Sequence, residues 1–523
     1  MAAASSIWGP TTSSDPDMTE PLRQIVVAGG GSAGWMSAAA LIHQLRGSGI
    51  AVTLVESDEI GRVGVGEATI PPILAFNRML GIPEPEFVRA TNGTFKVGIE
   101  FVDWFRKGER YFHPFGRYGD DFGLVPFHQQ WLAARARGAT EPLSAYSLTH
   151  AAASLARFGI PTGNGPSNYW TFGYAYHFDA ELYARYLREI SEGRGVVRKE
   201  GKIVEVQRDP ASGRISALLL NTGERIVGDL FIDCTGFRGL LIGETLGSEY
   251  LDFRRWLPCD RAVAVPCART EPLLPYTRAT ARDFGWQWRI PLQHRIGNGL
   301  VYCSGFSEAA EAERVLLDNL DGERLSEPRH LSFVTGRRRH MWVGNVVAIG
   351  LASGFLEPLE STSLHLVQAA IMQLIAHFPD KAFNPRVTER YNRKIAAQFD
   401  AVRDFLILHY SATERRDSAF WRHCAAIDRP DSLQEAIAIF QETGRLFIGE
   451  DDIFHEASWL AVLMGQGVIP NGRDFLADVV PEGQRREILA AIRRLIAAEA
   501  GGMSSHADFV KGLIPTAEKK TKL

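Results

Sequence analysis

The chain has 523 residues, of which 45% are hydrophobic and 23% charged, and its formal net charge is −4. A chain of this length exceeds one ordinary core, so we expect two or more packed regions. The small negative charge gives no sign of a nucleic-acid partner. No apolar run approaches the ~20 residues of a transmembrane helix, so we expect no membrane span.

The five cysteines include no C-x-x-C pair. An odd number without close spacing argues against a disulfide framework and against a metal site, and it fits a reducing cytoplasm. Residues 1–20 are rich in Ala, Ser, Thr and Pro, and they lack both the Lys or Arg and the long apolar stretch of a signal peptide. We predict a disordered tail at residues 1–22 and a solvated tail at residues 511–523.

The N-terminal region predicts a strand, a glycine-rich turn, a helix and a second strand. Residues 23–28 are rich in β-branched types and lead directly into Gly-Gly-Gly-Ser-Ala-Gly at 29–34. A helical pattern covers residues 35–45, and a second apolar strand at 51–55 ends in Glu56. This order predicts an α/β protein with a Rossmann-like domain that binds a dinucleotide.

Each glycine of this G-x-G-x-x-G pattern has a physical task. Gly29 permits the tight turn, Gly31 lets the backbone approach a pyrophosphate, and Gly34 lets the helix pack on the strand. The free N–H groups of the helix N-terminus attract phosphate, and Glu56 can accept the ribose hydroxyls. The predicted cofactor contacts here are Gly29, Gly30, Gly31, Ser32, Ala33, Gly34, Glu56 and Ser57.

Two later segments favour FAD over NAD. Apolar strands predicted within residues 228–236 and 345–352 each end in a turn of small residues, and a predicted hairpin at 202–220 precedes the first. Several segments returning to one cofactor indicate a large, extended ligand. No second glycine motif suits NAD(P)H, so we expect a separate enzyme to reduce the flavin. Further cofactor contacts are expected at Val65, Ala68, Ile203, Leu351 and Leu364.

Three rarer motifs follow, and each has a structural alternative. In the W-x-W-x-I-P stretch at residues 285–291, Trp286 and Trp288 share one face of a strand, where they either pack in a core or line a site. Lys96 ends Asn-Gly-Thr-Phe-Lys in an apolar setting, which fits a buried amine or a surface lysine with a covered stem. Residues 354–363 also fit a capped helix start.

Together the three motifs resemble the flavin-dependent tryptophan halogenase family, and the resemblance covers residues 23–470. It implies that FADH2 and oxygen form a flavin hydroperoxide, which oxidises chloride or bromide to hypohalous acid. Lys96 is implied to hydrogen-bond this acid or to form a haloamine, and so to halogenate an electron-rich aromatic ring such as an indole. Trp286 and Trp288 are implied to keep the organic substrate away from the flavin.

The resemblance assigns the remaining site residues as well. Glu360 is implied to orient the hypohalous acid or to take the ring proton. The backbone N–H groups of Thr362 and Ser363 are implied to bind the halide at a helix start. Many members have glycine in place of Ser363, and serine serves equally unless the position needs a positive φ.

Aromatic residues are the expected substrate contacts. His113 and Phe115 lie in a stretch similar to the one that stacks on indole in the family, and Trp459 is a third candidate; packing inside the core is the alternative for each. Residues 452–460 form a shorter segment than the one that clamps the amino acid in tryptophan-specific members. A bare indole, a phenol-like ring or a larger indole compound therefore fits as well as free tryptophan.

We predict an FAD-binding core at residues 23–386 with inserted substrate-side segments, and a helical region at 387–510. The implied partners are a separate NAD(P)H-dependent flavin reductase and a small aromatic substrate, and a homodimer is left open. The main rival is a flavin monooxygenase that hydroxylates an aromatic ring, and a second is a catalytically silent flavin-binding protein. Lys96 and the tryptophan pair favour the halogenase, since hydroxylation needs neither.

Overall fold

A computed structural model describes residues 20–59, 66–160, 172–449 and 452–513 of the chain. Helices dominate its C-terminal part. The α-helices are α1 (Ser32–Gln44), α2 (Pro72–Met79), α3 (Glu84–Ala90), α4 (Phe127–Arg135), α5 (Leu148–Ser154), α6 (Ala180–Gly193), α7 (Ala309–Leu317), α8 (Ser363–Ala376), α9 (Pro385–Ser411), α10 (Ala419–Ala425), α11 (Asp431–Thr443), α12 (Glu456–Gly465), α13 (Glu482–Gly502) and α14 (His506–Leu513).

The strands lie mainly before residue 360 and form several sheets. They are β1 (Gln24–Ala28), β2 (Ala51–Glu56), β3 (Gly66–Ala68), β4 (Thr94–Lys96), β5 (Gly98–Val102), β6 (Arg110–Pro114), β7 (Arg157–Phe158), β8 (Ala175–Asp179), β9 (Val197–Glu200), β10 (Ile203–Arg208), β11 (Ile215–Leu220), β12 (Arg225–Val227), β13 (Leu230–Asp233), β14 (Tyr250–Asp252), β15 (Arg261–Ala268), β16 (Thr277–Arg282), β17 (Gly285–Pro291), β18 (Arg295–Tyr302), β19 (Arg329–Ser332), β20 (Gly336–Arg338), β21 (Trp342–Val343), β22 (Val346–Ala348), β23 (Gly354–Phe355) and β24 (Ser504–Ser505).

The first sheet is the predicted dinucleotide-binding sheet, with strand order β21-β22-β13-β1-β2-β9. Strand β1 pairs in parallel with β2 and β13, and β13 pairs in parallel with β22. Their β-branched residues are buried because one face of the sheet packs on helix α1 and the other packs on strands β11 and β12. The predicted Rossmann-like α/β fold is confirmed, and the strands foreseen around residues 25, 53, 232 and 347 are its centre.

A second sheet, in the order β19-β15-β18-β17-β16-β5-β6, carries the tryptophan pair on β17 and His113 on β6. Trp288 lies opposite Gly299 of β18. A Cβ atom on that glycine would lie 2.0 Å from the indole ring, so the glycine makes room for the tryptophan. A small sheet in the order β3-β8-β4 ends at Lys96, on the edge of the same region.

The C-terminal helices pack against these sheets. Helix α9 is 27 residues long, and its last turns are buried. It begins two residues before the predicted boundary at 387. Both predicted tails include residues that belong to the folded part. Leu22 is buried, and Lys511 to Leu513 are the end of helix α14. The remaining tail residues lie outside the described ranges. Within those ranges, no helix has the length and apolar character needed to cross a bilayer.

Candidate active site

A long cavity of about 520 Å³ begins at the glycine turn after β1. Gly29 has a φ of 111°, and a Cβ there would lie 2.2 Å from the carbonyl oxygen of Cys234. A Cβ on Gly34 would lie 1.8 Å from the Gly29 oxygen, whereas one on Gly31 would meet nothing within 4 Å. Gly29 and Gly34 therefore close the turn, and Gly31 leaves open the side that faces a ligand.

The cavity is lined by segments far apart in sequence. The turn before α1, the strand that carries Trp288, and Ser361 all border it. A lining drawn from such separate segments fits an extended dinucleotide such as FAD. The predicted cofactor contacts that line the cavity are Gly29, Gly30, Gly31, Ser32, Ala33, Glu56, Ser57, Ala68, Ile203, Leu351 and Leu364.

Two of the predicted cofactor contacts, Gly34 and Val65, are not among the described residues that line the cavity. Gly34 packs against the Gly29 backbone and is not among the described residues that line the cavity. Val65 lies outside the described residues. Glu56 lines the cavity, and one of its oxygens pairs with Arg198 Nε at 2.5 Å. Its carboxylate is thereby fixed at the end of β2, where the ribose of a dinucleotide is expected.

Lys96 is completely buried at the end of β4. Its Nζ donates a hydrogen bond to Ser361 Oγ (2.8 Å) and lies 4.9 Å from the centre of the Phe115 ring. Burial lowers the pKa of the Lys96 ammonium to about 7, and the negative charge of Glu360 only partly opposes this. Because Ser361 borders the cavity, a buried amine that is half neutral near pH 7 lies one hydrogen bond from the proposed flavin compartment.

Glu360 is completely buried between two histidines. Its Oε2 lies 2.9 Å from His113 Nδ1, and its Oε1 lies 2.8 Å from His409 Nε2. Burial alone would raise the pKa of this carboxyl, but the charge and hydrogen bonding of the two histidines outweigh it and lower the pKa to about 2. Glu360 is therefore an anion at any ordinary working pH. We call Lys96, Ser361, Glu360, His113 and His409 the Lys96 site.

The N-terminus of helix α8 has no side-chain cap among the described residues. Thr362 is the N-cap residue, and no side-chain hydrogen bond caps this end. The first N–H groups of a helix have no partner within it, so those of Thr362 and Ser363 are available to an anion. Ser363 lines the cavity. The positive φ in this loop falls on Ser361, at 60°, and not on Ser363. Serine at 363 is thus compatible with the backbone.

The two tryptophans lie at different distances from the cavity. Trp288 lines the cavity as expected, but Trp286 is not among the described residues that do. The two rings are 6.1 Å apart at 57°, and Trp286 Nε1 donates to Glu357 Oε2 (2.9 Å). The expectation that both indoles stand beside the cofactor is therefore corrected. Alternation along a strand puts both on one face, but only Trp288 reaches the cavity.

Aromatic side chains extend from the Lys96 site. His113 lies 6.2 Å from the Phe115 ring and 6.0 Å from the Phe405 ring. Phe405 stacks on Phe454 at 3.8 Å, and Trp459 meets Phe405 edge-on at 5.2 Å. The three predicted substrate contacts thus belong to one aromatic cluster. His113 is, in addition, tied to Glu360 by its Nδ1 atom.

Sequence reasoning missed several residues of this region. Ser361 lies in the stretch 354–363 that also fits a capped helix start, and no pattern there indicates that its hydroxyl is the partner of Lys96. Glu357 stands three residues before Glu360 and is buried as well, although an acid in a sequence is ordinarily expected at the surface. His409 and Phe405 lie on α9, where a helical pattern gives no sign that a histidine faces a carboxylate.

The geometry defines a flavin-binding oxidoreductase with a sequestered amine beside its cofactor compartment. Residues 24–482 match the family model for tryptophan halogenases. The tryptophan 6-halogenase of Streptomyces toxytricini is 37% identical over 504 residues, which cover 89% of this chain and 94% of the relative. The tryptophan 7-halogenase of Lentzea aerocolonigenes is 36% identical over 87% of this chain and 91% of its own.

Solved structures agree with the sequence relatives. A flavin-dependent halogenase from Xanthomonas campestris has a TM-score of 0.91 and 47% identity, and the match covers 95% of this chain and 99% of that one. One from Brevundimonas sp. BAL3 also has a TM-score of 0.91, at 43% identity over 94% of this chain and 99% of that one. The chain belongs to the tryptophan halogenase family of flavin-dependent halogenases. The rival of a hydroxylating monooxygenase is not favoured.

Proposed function

We propose that the protein halogenates an electron-rich aromatic ring, an indole compound, at the Lys96 site. The observation that carries this proposal is the Lys96 amine itself. It is completely buried, hydrogen-bonded to Ser361 at the cavity border, and has a pKa of about 7. Reduced FAD in the cavity, together with oxygen, supplies the oxidation of chloride or bromide. Everything after that oxidation depends on the protein's own side chains.

We infer that Lys96 carries the halogen. The free amine displaces hydroxide from hypohalous acid, forming an N–halogen bond, and the amine proton joins the hydroxide to give water. The aromatic carbon then takes the halogen, the N–halogen electron pair stays on nitrogen, and the nitrogen regains a proton. A buried amine near its pKa at neutral pH has the lone pair that this step needs. Hydrogen bonding of the acid by an ammonium is the alternative role.

Glu360 is the proposed acceptor of the ring proton. Its carboxylate stays ionised because His113 and His409 hold it, so it opposes the positive charge that develops on the ring. It need not be a strong base, since a ring that has lost aromaticity releases its proton readily. The proton then passes to Lys96, which restores the amine, and the cycle closes without net change in the site.

The halide and substrate have separate proposed positions. The free N–H groups of Thr362 and Ser363 bind the halide, and Trp288 walls the cavity against the organic substrate. The aromatic cluster around Phe115 and Trp459 holds the flat ring and selects the carbon presented to Lys96. Tryptophan is named as substrate for the relatives; free indole suits the shorter segment at 452–460.

The reduced flavin is proposed to come from a separate NAD(P)H-dependent reductase. A cytoplasmic location is proposed as well, and five cysteines without a disulfide among the described residues fit a reducing compartment. A homodimer stays a prediction, which mass measurement in solution checks.

The test supplies reduced FAD from an added reductase, oxygen, and chloride or bromide, with indole, tryptophan and phenol as substrates. Product mass is the readout, and we expect halogen in place of hydrogen on indole. A product that gains oxygen and no halogen would contradict the proposal. The rate constant for halogenation should rise with pH and level off above about pH 7, because the free Lys96 amine reacts. A fall across that range would instead assign Lys96 the ammonium role.

A further inference from the structure

Glu357 is a second buried acid that the proposed reaction does not use. It precedes the turn that carries Glu360, and its side chain is completely buried. Its Oε2 accepts hydrogen bonds from Trp286 Nε1 (2.9 Å) and from the Tyr410 hydroxyl (2.8 Å). Its Oε1 has no hydrogen-bond partner among the described residues. Burying a carboxyl with one oxygen unsatisfied is unfavourable, so packing alone does not account for an acid here.

The two acids of this loop are held by neighbouring residues of one helix. His409 lies against Glu360, and the next residue, Tyr410, donates to Glu357. Glu357 also joins the loop to β17 through Trp286. One carboxyl therefore ties together the strand with the tryptophan pair, helix α9, and the loop of the Lys96 site.

The hydrogen bond to Glu357 fixes the orientation of Trp286. Aromatic packing is weakly directional, whereas an N–H donor must point at its acceptor. Trp286 lies behind Trp288, with the ring centres 6.1 Å apart, and it also packs on Trp104 at 6.4 Å. Of the two tryptophans, Trp288 is the one that borders the cavity. A rotated Trp286 would remove the support of that face and open a path around it.

We propose that Glu357 is a positioning residue that holds Trp286 in place and thereby keeps Trp288 as a closed wall, so that oxidised halogen reaches Lys96 instead of escaping. This inference rests on the proposed function. Burial raises the pKa of the Glu357 carboxyl to about 7, while its two donors favour the anion. The same two donors are the contacts that separate substitutions can remove one at a time.

The test measures how oxidised halogen is divided between indole and a soluble scavenger in large excess. Glu357→Leu removes the acceptor, Glu357→Gln keeps an acceptor oxygen of similar shape, and Tyr410→Phe removes the other donor but leaves the Trp286 bond. We expect Glu357→Leu to raise the scavenged share at least about threefold per flavin oxidised. Glu357→Gln should restore most of the coupling, and Tyr410→Phe should stay near the wild type.

A second readout follows Trp286 without turnover. In protein labelled with 5-fluorotryptophan, the Trp286 fluorine signal is assigned by its loss in Trp286→Phe. That signal should move or broaden in Glu357→Leu and stay in place in Tyr410→Phe. If Glu357→Leu does not fold, Trp286→Phe takes its place in the scavenger assay, because phenylalanine cannot donate to Glu357, and the same leak is expected.

Three results would overturn the inference. They are an unchanged halogen division in Glu357→Leu, a uniform loss of turnover with the division unchanged, and an equal leak in Tyr410→Phe. A wild-type enzyme that halogenates nothing would instead remove the proposed function, which is a separate outcome. Wild-type halogenation with an unaltered division in the variants removes only the role of Glu357.

Discussion

The cofactor cavity and the Lys96 site lie side by side, but they are built in different ways. Segments far apart in sequence line the cavity, but the part expected to bind phosphate is the backbone of one contiguous turn, residues 29–33, whose small residues leave it open. The Lys96 site consists of side chains brought from distant parts of the chain; His113 and Glu360 are 247 positions apart. A backbone site can bind a general cofactor in many enzymes, whereas a side-chain site defines one reaction. Substitutions should therefore separate cofactor binding from halogen transfer.

Lys96→Ala should have the largest effect on turnover. Removing the amine leaves no group to carry the halogen, so halogenation of indole is expected to fall to background while FAD affinity is retained. Product mass and flavin fluorescence on binding measure the two properties. Lys199→Ala, on an exposed ion pair with Glu224, is the matched control and should behave as wild type. Loss of both properties in Lys96→Ala would mean that the two regions are not separable.

Glu360→Gln should slow halogenation by roughly a hundredfold or more, the usual range for loss of a proton acceptor. The amide keeps the shape but neither takes the ring proton nor carries the charge that faces His113 and His409. Single-turnover rates with preloaded reduced flavin isolate this step from cofactor delivery. Turnover equal to that of wild type would remove Glu360 from the mechanism.

Gly31→Ala should weaken the binding of FAD, in contrast to the substitutions of Lys96 and Glu360, which should affect halogen transfer. Its backbone angles, φ −74° and ψ −175°, suit alanine, and the new Cβ meets no protein atom within 4 Å. The methyl group points into the space needed by the pyrophosphate, so FAD affinity should fall about tenfold, or roughly 1.4 kcal/mol. Melting without FAD should be unchanged. Unaltered FAD affinity would show that the cofactor does not approach this turn.

Lys96→Met should stabilise the protein, most strongly at low pH. The pKa of Lys96 is about 7 in the folded protein against an ordinary 10.5. Between those two pH values the unfolded chain binds more protons than the folded protein, so the stability of the wild type rises with pH. Below pH 7 the folded protein bears the full cost of burying the charged Lys96 ammonium. We expect a Tm gain of roughly 2–5 °C at pH 6, shrinking by pH 10. A Tm gain that does not depend on pH would argue against a strongly lowered pKa of Lys96.

Much of the cofactor region could be predicted from the sequence because its determinants are local. Strand, turn, helix and acid follow each other from Gln24 to Glu56, and glycine spacing alone indicates where the backbone must approach a ligand. Helix and strand boundaries differed by only a few residues. Whether serine at 363 suits its position could not be decided from the sequence, because the answer depends on the backbone angles, and the structure places the positive φ at Ser361.

The Lys96 site could be predicted only in part. Lys96 and Glu360 came from motifs, but their partners depend on long-range packing that no local pattern reports. His409 lies in a helix whose other buried residues are mostly apolar, and no local pattern indicates its contact with Glu360. The layering of the tryptophan pair was also hidden, because alternation gives the face of a strand and not the depth of each ring.

The most direct measurement of the central claim is competition for the halogen in the wild-type enzyme. Indole and bromide react with enzyme and reduced flavin while a soluble scavenger of free oxidised halogen is added in increasing excess. If the halogen passes to Lys96 inside the protein, bromoindole should form at a constant rate with one regiochemistry. Suppression of bromoindole in proportion to the scavenger would show that free hypohalous acid in solution is the halogenating agent, contrary to our account.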